Sequence, residues 1–98
     1  MSGEHTLHTM EKGRWLIPDH MWGAIERYIV RGIPPGSFLT AVLSNDLKGA
    51  FINADEVNTD NMRQWVQFLY NYAPGDCWGS PERVEAWLSQ FRQQDEVA

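Results

Sequence analysis

One thiol, three imidazoles and 13 carboxylates are the groups with which this chain of 98 residues could do chemistry. The thiol is Cys77, set between two glycines in the segment Ala73-Pro74-Gly75-Asp76-Cys77-Trp78-Gly79-Ser80. A nucleophilic cysteine needs a base beside it. The histidines, His5, His8 and His20, all fall near the N-terminus, and no motif ties one of them to the thiol. His5 and His8 stand three apart in a polar stretch, a weak signal for a metal. No glycine-rich phosphate loop, HExxH, GxSxG or metal-spaced Cys/His set occurs. The expectation is therefore a protein that is not an enzyme and uses no cofactor or metal.

Charge and composition narrow the classes further. Eight Lys and Arg against 13 Asp and Glu leave a net charge of −5, opposite to what a grip on nucleic acid or anionic lipid needs. A single cysteine forbids an internal disulfide framework and suits a reducing compartment. The apolar runs are far shorter than the roughly 20 residues of a membrane span, and the N-terminus lacks the apolar core of a secretory signal. A cytoplasmic location is expected. Five Trp and an aromatic share of 12% supply the mass for one core, and the length suits one domain.

The elements that must position any site are helical. Residues 1–16 are polar and without apolar period, and read as a flexible tail that Trp15, Leu16 and Ile17 dock onto the body. Residues 17–93 form the helical domain. A first helix is expected over about 18–31, opened by Pro18 and closed by Gly32 before Pro34-Pro35. A second is expected over about 37–54, with Ser37 as its N-cap and Phe38, Leu39, Val42, Leu43, Leu47, Ala50 and Phe51 as its core stripe. A third is expected to start after Asn58 or Thr59 and reach about Tyr72, with Met62, Trp65, Val66 and Leu69 inward. A fourth opens at Ser80-Pro81-Glu82, with Val84, Trp87, Leu88 and Phe91 inward. Residues 94–98 fray. Strand signals are weak and the links are short, so the expected class is all-α, a compact four-helix bundle-like single domain.

Four features stand out from this pattern. On a wheel of the second helix, Asp46 falls about 80° from Phe38, inside the apolar arc. A buried carboxylate needs partners, either an indole N–H, a loop backbone or an arginine, or else a pocket or partner that uses it. Gly49 lies about 60° from Asp46 and implies a close approach by another helix, or room for a ligand. His20, Arg27 and Arg31 line one flank of the first helix as a cationic strip that is either a solvated face or an anion contact. Trp78 and Cys77 either close the end of the core or face a partner. Asp46 with its neighbour Asn45, the pair Arg27 and Arg31, and the loop residues Asp76 and Trp78 make up the candidate binding set.

The stretches RGIPPGSFLTAVLSNDLKGAF and FLYNYAPGDCWGSPE resemble a group of small proteins encoded by bacteriophages, prophages and related mobile elements, over roughly residues 15 to 92. The resemblance implies a bacterial cytoplasmic setting and an accessory, host-directed role, and it implies no catalytic residues. The function expected is a helical interaction module that binds a host protein as inhibitor or modulator. The alternative is a small-ligand or nucleotide site near Asp46 and the Trp78 loop. After it comes a helix-turn-helix regulator built on the Gly32–Gly36 turn, whose outer face of Thr40, Ser44, Asn45 and Lys48 offers one cation to phosphates. Pairing into a homo-oligomer is left open.

Overall fold

Gly32 and the Ser44-Asn45-Asp46 step set where the central helices stop and turn. In the computed structural model, which describes the backbone of residues 3–97 and the side chains of residues 6–92, seven α-helices follow one another with no strand among the described residues. They are α1 (Gly3–Lys12), α2 (Asp19–Arg31), α3 (Ser37–Leu43), α4 (Leu47–Asn53), α5 (Glu56–Asp60), α6 (Met62–Tyr72) and α7 (Pro81–Val97), with short 3-10 turns at Arg14–Leu16 and Gly75–Cys77. The all-helical class stands, divided into seven helices where four were expected.

The first difference lies at the N-terminus. The segment expected as a flexible tail contains α1, and Met10 on that helix is fully buried in the core. Leu16 and Ile17 are buried behind it, whereas Trp15 faces water. Burial of that one large side chain contributes about 1.5–3 kcal/mol to holding a polar helix on the core. α1 packs on α2 and α6. At the other end, the segment expected to fray over 94–98 is helical backbone as far as Val97, and Ala98 lies outside the described residues.

α2 follows its expected course. Pro18 precedes it, and Trp22, Ile25, Tyr28 and Ile29 form its buried stripe. Gly32 ends it in the left-handed region at φ 66°, donating its N–H to Tyr28 O at 3.1 Å. A Cβ there would also strike the Phe91 ring of α7, so glycine is required twice over.

The expected second helix is two helices. Asn45 adopts φ 62°, Asp46 N–H turns back to Ala41 O at 2.8 Å, and Asp46 Oδ1 accepts the Gly49 N–H at 3.0 Å as the N-cap of α4. Ser, Asn and Asp compete with the helical backbone for hydrogen bonds, and three in succession favour a turn and a cap over helix interior. α3 packs closely on α4 and touches α7. Its N-cap is Gly36 rather than Ser37, with no side-chain bond. Within the expected core stripe, Phe38, Leu39, Val42, Leu43 and Ala50 are buried, while Leu47 and Phe51 are exposed.

The third helix is preceded by a further one: α5 starts at Glu56, ahead of the expected N-terminus, and Asn61 separates it from α6. Asp55 caps α5 by accepting Asn58 N–H at 2.7 Å. Asn58 is buried, and its Oδ1 accepts the Trp65 indole N–H at 3.2 Å, which satisfies two buried polar groups at once. Trp65, Phe68 and Leu69 face inward, and Val66 faces out against expectation. Edge-to-face aromatic pairs, Trp22 with Phe68 and Phe38 with Trp65, join α6 to α2 and α3.

α7 begins as expected, with Ser80 Oγ accepting Arg83 N–H at 3.2 Å. Val84 is buried, and Trp87 donates its indole N–H to Tyr28 O at 3.2 Å. Among the described residues no helix is long and apolar enough to cross a membrane.

Candidate functional site

Asp46 is exposed, so it is not the inward carboxylate that a continuous helix implied. The break at Asn45 resets the wheel, and residues beyond it cannot be placed by counting from Phe38. Its partner is backbone, the Gly49 N–H, and Gly49 is small because a Cβ there would meet the Asp46 carboxylate and come within 3.3 Å of Ala41 Cβ. Asp46 borders an open groove of about 650 Å³ with Ser37, Thr40, Ser44, Gly49 and Asn53. Hydroxyls and an amide can hydrogen-bond a small polar molecule there. No cation lines the groove, so nothing in it neutralises a phosphate. Trp78 does not line it either.

The Trp78 loop belongs to the core. Cys77 is fully buried and Trp78 half-buried against the core. Tyr28 donates its hydroxyl to Cys77 O at 2.7 Å, and Gly79 N–H donates to Leu43 O at 2.7 Å. Burial pushes the Cys77 thiol up to about 12, which leaves it protonated and unreactive at neutral pH. Asp76 is exposed and borders a separate hollow with Thr6, Tyr72 and Trp87. Arg83 reaches back to the carbonyls of Gly75 and Trp78 at 3.3 and 3.4 Å.

The cationic strip on α2 is divided. His20 Nε2 pairs with Asp55 Oδ2 at 3.0 Å. The Asn58 backbone N–H, and then His20, hold the Asp55 carboxyl below its ordinary range. Arg27 and Arg31 are exposed on the same helix. His8 is exposed as well, and the side chain of His5 lies outside the described residues. Among the described residues no group of three His, Cys, Asp or Glu is placed to hold a metal ion. The six candidate residues thus lie on α2, at the α3–α4 turn and in the loop before α7, and the structure does not gather them into one site.

What the structure does gather was not in that set. Leu47 is 70% exposed, Phe51 46% and Ile52 69%, all on α4, and Val57 on α5 is 48% exposed. At about 100° per residue, Leu47, Phe51, Lys48 and Ile52 occupy roughly 140° of the helix circumference, and three of these four residues are large and apolar. A water-facing helix surface is ordinarily polar. Immediately after α4, Ala54, Asp55, Glu56, Thr59 and Asp60 line a shallow hollow of about 340 Å³. Reading Ser44-Asn45-Asp46 as a turn would have exposed this face, because Leu47 and Phe51 then lose their place in a single core stripe. No family model, curated protein or solved structure matches the chain.

Proposed function

We propose that the chain is a protein-interaction module that holds a protein partner on α4 and the start of α5. The observation that carries this proposal is the apolar outer surface of α4, Leu47, Phe51 and Ile52, with Val57 exposed on the helix that follows. Large apolar side chains grouped on one outward face mark interaction sites, and each is worth about 1.5–3 kcal/mol when a partner removes it from water. The partner we propose is a host bacterial protein in the cytoplasm, the setting implied by the resemblance to proteins of phages and other mobile elements. The protein acts there as an inhibitor or modulator by occupying that partner's surface.

Affinity purification from bacterial lysate, with the parent chain beside a Leu47→Ser, Ile52→Ser double variant, tests this function. The parent should retain one protein in stoichiometric amount that the variant loses, with both chains giving the same helical circular dichroism. Equal retention by parent and variant, or repeated recovery of no stoichiometric protein, would overturn it.

A further inference from the structure

We propose that the occupant of the α4–α5 face is a basic amphipathic helix of the partner protein, its apolar residues against Leu47, Phe51 and Ile52 and its Lys or Arg side chains toward the acidic hollow of Glu56 and Asp60. This inference rests on the interaction reading above and names the chemistry of the partner. Charge complementarity carries it. Residues 44–61 hold Asp46, Asp55, Glu56 and Asp60 against the single cation Lys48, a large share of the net charge of −5 on the whole chain. Three of those carboxylates line one hollow directly following the apolar helix. Asp55 is engaged by Asn58 N–H and His20, which leaves Glu56 and Asp60 as the exposed anions for a partner cation. Opposed potentials across an interface speed encounter and fix orientation.

The same charges argue against a second copy of this chain. A two-fold contact sets a patch against its own copy, and two patches of net negative charge repel each other. Addition of an extended strand has no edge to join, since the described residues form no sheet. A helix can place residues spaced three or four apart onto Leu47, Phe51 and Ile52 while its opposite flank carries the cations.

Anisotropy of a labelled amphipathic Leu/Lys peptide against the full chain, with a Leu/Glu peptide of the same leucine positions, reads the inference directly. The Leu/Lys peptide should bind about tenfold more tightly than the Leu/Glu peptide, and the Leu47→Ser, Ile52→Ser variant should weaken it about tenfold. A Glu56→Lys, Asp60→Lys variant should weaken it comparably and strengthen the Leu/Glu peptide. A Glu11→Lys, Glu82→Lys variant, with the same change of net charge elsewhere on the surface, should leave it close to the parent. Equal effects of the two charge reversals would overturn the inference. If both peptides bind equally well and both lose affinity with Leu47→Ser, Ile52→Ser, the face docks a partner but the basic character falls. If neither peptide responds to that variant, and the parent instead sediments as a dimer that the variant makes monomeric, the occupant is a second copy and the partner reading falls with it.

Discussion

Asp46 closes the turn after α3 and opens α4 with a single hydrogen bond to Gly49 N–H. An N-cap carboxylate of this kind is worth about 1 kcal/mol, and Asn replaces it nearly without loss. In urea denaturation, Asp46→Ala should lower stability by about 1 kcal/mol and Asp46→Asn by only a few tenths. A loss of several kcal/mol from both would instead mark a carboxylate that is buried and paired. The sequence signalled that Asp46 was out of place, since a carboxylate amid Phe38, Val42 and Ala50 is anomalous. Its resolution was legible too, in the run Ser44-Asn45-Asp46, but a wheel drawn through a break no longer tracks the faces of the residues beyond it, and only Ala50 kept its expected buried place. Leu47 and Phe51 went to the core on that account, and with them went the outward face of α4.

At the scale of the element, the stop of α2 and the start of α7 were readable, whereas Gly36, Asp46 and Asp55 were not expected as N-caps. Gly32, Ser80 and the paired prolines 34 and 35 bound α2 and α7 as expected, because each acts through its own backbone geometry or a hydrogen bond three residues away. α1 was not readable. Its segment is polar, and it is attached by a buried Met10 and by packing on α2 and α6, which lie further along the chain. Met10→Ala should therefore cost about 2–5 kcal/mol, as a deleted core side chain does, and not the near-zero expected of a residue in a loose tail. Thermal unfolding of the variant measures this, and a midpoint equal to the parent's would detach α1 from the cooperative unit.

Over the whole molecule, the radius of gyration of 13.0 Å matches that of a folded domain of this length. Helical class and an aromatic core were legible from composition and spacing. Which helices pair was not, since Trp65 with Asn58, Phe38 with Trp65, and Trp87 with the Tyr28 carbonyl are contacts that no local pattern encodes. Cys77 sits where several of these parts converge, fully buried, with its own carbonyl held by Tyr28 from α2 and the adjoining Gly79 bonded to Leu43. With no other cysteine in the chain, a disulfide-exchange reagent at pH 8 should label native protein orders of magnitude more slowly than protein in denaturant, at a rate set by opening of the fold. Labelling as fast as that of a free thiol would contradict its burial. The chain thus carries a built-in stopwatch: each tagged molecule records one moment at which its interior stood open, read by absorbance and without any engineered probe.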